Sequence, residues 1–432
     1  MSEIDPSESA NAQIAGLNSR RAALRLLDAV LRTGTPLEAA LSTATKGLER
    51  SEDRAFAHAI AGHVLRRLGD LDQLIDSATA QPLAMDAKAR MVLRIALVQA
   101  LVLKTPAHAV IATCLPLVEG GPKRLVHGVL GTLLRKGATL PDDRGSLPEP
   151  VAMRWGSAWG MNVLSAAKQA LASPPPTDIT LRDAAATQGF CDSLGGNSLA
   201  PGHVRLHDNA AIPALEGFAS GEWWVQDLAA SLPARLLGNS RGGDALDLCA
   251  APGGKTMQLA ASGWKVTALD LSEKRMRRLL ENLERTSLDA EIVVDDVRKW
   301  QTDAQFDAIL LDAPCSATGI FRRHPDVLHR VRPKDIATLA ELQSELLDRA
   351  LGWLKPSGKL VYATCSLEPA EGEQQIETFL ERHPDVMIDP ITADELPAGI
   401  PANDRGWVRL LPGMIAEQGG LDGFFIARLK YR

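Results

Sequence analysis

The sequence runs to 432 residues, room for roughly two to four domains, and its 45% hydrophobic and 23% charged content is that of an ordinary globular chain. A formal net charge of −6 excludes a protein basic over its whole surface, though not one with a local basic patch. Five widely spaced cysteines without a CxxC exclude a disulfide framework and a zinc cluster and fit a reducing cytoplasm, and the absence of any run of about 18 apolar residues excludes a membrane span.

Residues 1–16 read as a disordered tail, and the acidic, polar start has no apolar core of a signal peptide. Helical periodicity begins directly after. Over 20–32 the apolar residues Ala23, Leu26, Leu27, Val30 and Leu31 fall on one helix face, and 54–68, 88–103, 109–118 and 126–134 repeat the pattern. Residues 17–140 are therefore predicted to be all-helical. The polar stretch Gly137–Pro150 breaks the pattern. Residues 141–217 read as a small α+β linker region, with Ser173-Pro174-Pro175-Pro176 as a rigid connector and short strands at 179–181 and 203–206. From 218 to 432, short apolar runs at 245–248, 265–269, 291–294, 306–311 and 358–363 alternate with helical candidates such as 273–286 and 336–354. That alternation predicts an α/β, Rossmann-like domain: a parallel sheet with helices on both faces, with two further strands at 407–411 and 423–429.

Four motifs fall at the ends of these strands. Asp247-Leu248-Cys249-Ala250-Ala251-Pro252-Gly253-Gly254-Lys255-Thr256 stands where the first strand turns into its helix, the place where doubly wound sheets bind ligands. It is not a P-loop, because the first glycine of GxxxxGK[ST] would fall at Cys249, and it lacks the GxGxxG fingerprint. Asp270 ends the second strand, where an acid binds ribose hydroxyls; capping the helix that follows is its bland alternative. Asp296 holds the comparable place on the third strand as an acceptor for an adenine amino group, with Asp295 its competitor. Asp312-Ala313-Pro314-Cys315-Ser316-Ala317-Thr318-Gly319 ends the fourth strand and Thr364-Cys365-Ser366 the fifth, so two neighbouring strands each present a cysteine at one sheet edge. A helix opened by Pro369 and running to Arg382 should bring its N-terminus near Cys365. Trp223 and Trp224 read as packing residues, and His108 as part of a helix-packing turn.

Taken with Arg322-Arg323-His324-Pro325-Asp326 and Asp422-Gly423-Phe424-Phe425, these motifs resemble the RsmB/Sun branch of the NOL1/NOP2/Sun family of RNA cytosine-5 methyltransferases. The helical part resembles the NusB antitermination fold through Leu103–Ala109, so the likeness, with Gly221–Asp227, spans most of 18–432. The resemblance implies S-adenosylmethionine as cofactor, held by Cys249, Ala250, Ala251, Pro252, Gly253, Gly254 and Lys255 with Asp270, Asp296 and Asp312 as further contacts. It implies Cys365 as nucleophile, Cys315 as the cysteine that assists adduct breakdown and product release, and Asp312 as the acid facing the target cytosine. Carbon 5 of cytosine is a poor nucleophile, and a thiolate added at carbon 6 makes it enamine-like, which is covalent catalysis. The run Val327-Leu328-His329 departs from the family's usual pattern and weakens only the substrate detail.

The basic run containing Arg322, Arg323, Arg330, Arg332 and Lys334 is expected to contact phosphate, with Arg322, Arg323 and Arg330 as RNA-binding residues. Small-subunit ribosomal RNA is the expected substrate and partner of a cytoplasmic monomer without metal. Transfer RNA is the nearest alternative substrate, and a non-catalytic RNA-binding or antitermination factor is the alternative of another class. The pair Cys315 and Cys365, with Lys255 and Asp312, argues against the latter. A DNA methyltransferase fits less well, since its nucleophile sits on the fourth-strand loop.

Overall fold

The computed structural model describes residues 15–141, 143–207 and 211–432, so most of the tail expected over 1–16 lies outside the described residues. The chain divides into two compact units. The first takes Met1–Ser157, Leu164–Pro174 and Phe321–Val331; the second takes Ala158–Val163, Pro175–Ile320 and Arg332–Arg432.

The first unit is helical: Leu17–Thr33, Leu37–Ala44, Ser51–Arg66, Leu68–Ser77, Lys88–Leu97, Ala107–Cys114 and Gly120–Arg135. Each turns an aliphatic stripe inward, and Leu26, Leu27, Ile60, Val64, Leu93, Val110 and Leu130 meet in one core. Arg90 and Arg94, which interrupt the apolar run of 88–97, are buried because Asp72 and Asp76 neutralise them; Arg94 reaches Asp72 at 2.8 Å and Arg90 at 3.0 Å. Two helices escaped the periodicity. Leu37–Ala44 is only two turns long, and Leu68–Ser77 is separated from its predecessor by a single residue, Arg67. The segment expected over 88–103 leaves the α-helix at Leu97 and closes with a wider π turn, Val98–Val102.

Phe321–Val331 belongs to this unit, and that corrects the expected basic strip. Arg322 is buried and its carbonyl accepts a hydrogen bond from Arg66 Nη2. Arg330 is paired with the buried Asp326 at 2.9 Å, and the ring of His329 bonds the carbonyl of Leu65 at 2.8 Å. Phe321 packs on Trp155 with ring centroids 5.3 Å apart. The short helix Val327–Arg330 buries Val327 and Leu328, Arg322 and Arg330 are engaged in protein contacts, and Arg323 is only half-exposed. Arg332 and Lys334 remain exposed.

Glu149–Ala170 is a helix at the start of the region read as a small α+β linker. Pro150 stands in the first turn, where a missing N–H costs nothing, so the residue read as a breaker starts the helix. Gly160, at φ 82° and ψ 174°, interrupts it and disrupts the 3.6-residue period.

The second unit holds two sheets. The smaller has strands β1 (Asp178–Leu181), β2 (Gly196–Asn197), β3 (His203–Leu206) and β4 (Trp223–Val225), in the order β2-β3-β1-β4. Because Trp223–Val225 pairs with Ile179–Leu181, the linker region extends beyond the expected boundary at 217. Asp178, fully buried, ties this sheet together by a two-pronged pair with Arg205 at 2.7 and 2.8 Å. The hydrogen bonds and charge of Arg205 and His203 outweigh burial and hold the Asp178 carboxyl well below its ordinary range.

The larger sheet has β5 (Asp244–Leu248), β6 (Lys265–Asp270), β7 (Glu291–Val294), β8 (Phe306–Asp312), β9 (Leu354–Thr364), β10 (Val386–Ile388), β11 (Val408–Leu410) and β12 (Phe424–Tyr431). The order is β10-β12-β9-β8-β5-β6-β7, with β11 also on β12. Strands β5 to β9 are parallel, as expected, but β12 runs antiparallel to its neighbours β9, β10 and β11, so the sheet is mixed rather than wholly parallel. Two apolar layers cover its faces, one around Leu246, Ile309, Leu347 and Phe379, the other around Ala245, Leu310, Val361 and Ile426. The strand order reverses between β5 and β8, and at such a switch point the loops part and leave a crevice. Among the described residues no helix is long and apolar enough to cross a membrane.

Candidate active site

The glycine turn leaves the carboxyl end of β5. Cys249 takes φ 60° and Gly253 φ 100°, and Gly254 opens the helix Gly254–Ala261. A Cβ on Gly253 would stand 2.7 Å from Leu279 Cγ, so only glycine lets the turn lie against the helix Glu273–Thr286. Asp270 braces the same turn: its carboxylate accepts from Ala251 N at 3.2 Å and Ser272 N at 2.9 Å, and Arg275 stands at 3.4 Å while also bonding the Ala251 carbonyl. Ser272, not Asp270, caps the following helix. Asp247, fully buried, accepts from Thr256 Oγ1 at 2.6 Å through one oxygen, and its other oxygen has no partner among the described residues. Burial first, with Asp312 and Asp270 nearby, pushes its carboxyl up to about 7. Burial raises the Cys249 thiol strongly, so this cysteine is held neutral.

Asp296 is engaged by Arg298 at 3.0 and 2.7 Å, and these hydrogen bonds hold it below the usual carboxylate range. Asp295 accepts from Asp296 N at 2.7 Å. An adenine contact by Asp296 therefore has to compete with Arg298. Two residues that the sequence reading passed over, Leu271 and Val294, expose large aliphatic side chains at the carboxyl ends of β6 and β7. Their signal was present: an apolar residue left at a strand end after the core face is complete. The turn that a Cβ would fill, the orphaned Asp247 oxygen and these apolar walls suit a nucleoside carrying a charged sulfonium, so the residues fit S-adenosylmethionine.

The two cysteines meet beside this turn. β8 and β9 are neighbours with Asp312 opposite Ala363, and Ala313 N donates to the Ala363 carbonyl at 2.9 Å. The loops that follow bring Cys315 Sγ within 3.4 Å of Cys365 Sγ. The hydrogen bond to Cys365, then burial, pushes the Cys315 thiol well above its ordinary value, so Cys315 keeps its proton. Lys255 Nζ lies 2.6 Å from Asp312 Oδ2 and 5.6 Å from the centre of the Phe424 ring. Burial opposes the ammonium charge, but Asp312, aided by Cys365 and Asp247, outweighs it and raises the Lys255 pKa. Sequence-predicted Cys249–Lys255, Asp270, Asp312, Cys315 and Cys365 thus converge on one sheet edge.

The frame behind the cysteines was not legible in the sequence. Arg409 donates to the Ser366 carbonyl at 2.5 Å, pairs with Glu373 at 2.6 Å, and stands 5.0 Å from both the Trp159 and Phe425 rings. Trp159 Nε1 bonds the Leu367 carbonyl at 2.8 Å. The helix expected to open at Pro369 is instead a 3-10 turn, Pro369–Glu371, separated from Glu373–Arg382 by Gly372, whose φ of −131° and ψ of −97° break the helix. The turn exists because Glu371 is pulled into the core, where it is fully buried.

Residues 234–430 match the family described as 16S rRNA methyltransferase RsmB/F, and residues 17–135 match the NusB family. The chain is 35% identical over 441 residues to a Cronobacter sakazakii protein named ribosomal RNA small subunit methyltransferase B, covering 96% of this chain and 98% of that one. A crystal structure of a methyltransferase homolog protein from Pyrococcus horikoshii is 27% identical, with a TM-score of 0.56, over 70% of this chain and 98% of that one. The crystal structure of PH0851 shares the fold over 96% of this chain and 98% of its own, with a TM-score of 0.74 at 23% identity. A glycine turn at a switch point, two cysteines at neighbouring strand ends and a relative alike over nearly the whole length agree: the chain belongs to the RsmB/F family of S-adenosylmethionine-dependent methyltransferases, with a NusB-family domain ahead of the catalytic one.

Proposed function

We propose that this enzyme methylates carbon 5 of a cytosine in small-subunit ribosomal RNA through a covalent bond between Cys365 and carbon 6. The observation that carries the reading is the Cys315–Cys365 pair, 3.4 Å apart, beside the Lys255–Asp312 ion pair. The ribosomal substrate rests on the name of the Cronobacter sakazakii relative.

In this reading S-adenosylmethionine, held by Cys249–Lys255 with Asp270, supplies the electrophilic methyl group that carbon 5 accepts. Cys365 attacks carbon 6 as a thiolate, forming a C–S bond and moving the ring electrons toward carbon 5. The Lys255 ammonium supplies positive charge beside that sulfur, and Asp312 holds the ammonium and faces the base. After carbon 5 is substituted, a base takes its proton, the C–H electron pair restores the ring double bond, and the C–S bond breaks. Cys315, protonated and next to the departing sulfur, donates a hydrogen bond to the leaving thiolate. The RNA contacts proposed for the basic run shift to the exposed Arg332 and Lys334, joined by the half-exposed Arg323.

The test is a pair of nearly isosteric variants assayed on small-subunit ribosomal RNA. Cys315→Ser is expected to accumulate a denaturation-resistant, RNase-sensitive protein–RNA adduct, and Cys365→Ser to form none and to lose methylation. An adduct in Cys365→Ser that vanishes in Cys315→Ser would make Cys315 the nucleophile.

A further inference from the structure

Glu371 is a fully buried acid outside the cofactor turn, and its bonds converge on the two cysteine loops. Oε1 accepts from Ser316 N at 2.8 Å and from Gln343 Nε2 at 3.0 Å. Oε2 accepts from Ser316 Oγ and, at 2.5 Å, from Ser366 Oγ. Its carbonyl accepts from Tyr362 OH at 2.9 Å and Thr364 Oγ1 at 3.0 Å. Gln343 Nε2 also bonds the Pro314 carbonyl at 2.9 Å. Ser316 and Ser366, one beside each cysteine, are therefore tied to this one carboxylate, while Pro314 is held by its partner Gln343 and Thr364 by the Glu371 main-chain carbonyl. Neutral donors make all of these bonds, so they satisfy the carboxylate without cancelling its charge. That charge is one of the causes that raise the Cys315 thiol.

We propose that Glu371 is a positioning residue that sets the spacing and setting of the two thiols, thereby fixing which cysteine attacks. The proposal rests on the reading of Cys365 as nucleophile. Its two components separate chemically. Distance depends on the reach of the carboxylate into both loops, and its charge adds to the Cys365 hydrogen bond and burial that keep Cys315 protonated. Glu371→Gln keeps the length but removes the charge and turns an amide N–H₂ toward hydroxyl and N–H donors. Glu371→Asp keeps the charge and shortens the reach by one methylene.

The experiment follows each cysteine of the full-length protein by mass spectrometry during iodoacetamide alkylation across pH. It also measures bridging of Cys315 and Cys365 by phenylarsine oxide, which needs two adjacent thiols. In Glu371→Gln, the Cys315 alkylation profile is expected to move to lower pH, so that Cys315 is labelled faster than in the parent at pH 8. Arsenical bridging should weaken in the same variant. In Glu371→Asp the Cys315 profile should stay near the parent's while bridging weakens. A merely structural role would lower the melting temperature without moving the Cys315 profile. Should Glu371→Gln not fold, Ser316→Ala removes one bond to the carboxylate with little change in volume, and roughly tenfold weaker bridging is expected from the loss of a bond to a charged acceptor. An unchanged Cys315 profile in folded Glu371→Gln, or unchanged bridging in Ser316→Ala, overturns the proposal. Failure of Cys315→Ser to trap an RNA adduct, with otherwise parental alkylation, overturns the nucleophile reading instead.

Discussion

Gly319 lies where the two cysteine loops and the last strand come closest. Its N–H donates to the Cys365 carbonyl at 2.9 Å, and its own carbonyl accepts from Gly423 N at 2.9 Å. A Cβ placed there would stand 2.0 Å from the Gly423 carbonyl oxygen and 2.9 Å from that of Cys365. An ordinary carbon–oxygen contact is about 3.3 Å, so Gly319→Ala forces the backbones apart by roughly 1.3 Å. Both atoms it meets are main-chain, so no side chain can swing away. Loss of two hydrogen bonds, at ~1 kcal/mol each, and ~1–3 kcal/mol of overpacking give a destabilisation of ~3–5 kcal/mol. The loop that moves carries Cys365, the nucleophile proposed above, and a misplacement of ~1 Å at such a group costs ~100-fold in rate. Thermal unfolding and transfer of a labelled methyl group to RNA measure the two effects. An alanine variant that melts and methylates like the parent would refute the claim that this contact sets the position of Cys365.

Asp247 makes stability fall as pH rises. Its carboxyl sits near 3.8 unfolded and is raised to about 7 folded, so its contribution is lost between those values and the full cost, ~4 kcal/mol at one tenfold step per unit, stands above pH 7. Asp247→Asn should flatten the pH dependence of the melting temperature over that window and stabilise the protein at pH 8; an unchanged profile would mean that Asp247 is not the group responsible. Gly253→Ala combines a disfavoured φ of 100° with the Leu279 clash and should weaken S-adenosylmethionine binding at least tenfold, on the order of 1–2 kcal/mol, in calorimetry. Arg322→Glu places an acid in a buried position of the helical unit and should cost ~3–5 kcal/mol in stability while leaving the salt slope of RNA binding unchanged. A flattened slope with parental stability would restore Arg322 as a phosphate contact.

The parts of the fold written in runs of sequence were legible. Helix Glu273–Thr286 shows as a clear amphipathic period, and β5, β6, β8 and β9 as aliphatic runs, of which β6 and β8 end in Asp and β9 runs into Thr-Cys. The cysteines could be found because strand ends and turn glycines mark themselves locally. What failed depends on contacts far apart in sequence. Arg322 and Arg330 look solvated until Asp326 and the helical core are placed around them. Glu371 sits in an acidic stretch, Glu368-Pro369-Ala370-Glu371-Gly372-Glu373, that reads as helix surface; its burial follows from Ser316, Gln343 and Ser366, two of which lie on other elements. Glu149–Ala170 was hidden by a proline that starts a helix and a glycine that bends it.

The separation of the two thiols is a matter of strand register. Asp312 stands opposite Ala363 on parallel neighbours, and each cysteine follows within three residues. A slip of one residue moves a strand by ~3.3 Å, about the length of the Cys315–Cys365 contact itself, and turns every side chain of that strand to the other face. β8 and β9 are both aliphatic and both buried, so their own pattern resists a slip only weakly. Additional pins come from the antiparallel side. Thr364 is paired with Phe425 on β12, Phe425 is fully buried, and Gly423, two residues earlier, closes on Gly319. The last strand therefore contributes to the chemistry although it carries no reacting group. It holds β9 at the register that brings Cys365 to Cys315, and the pair of small residues at Gly319 and Gly423 lets the loops approach closely enough for that register to be read out as a sulfur–sulfur contact.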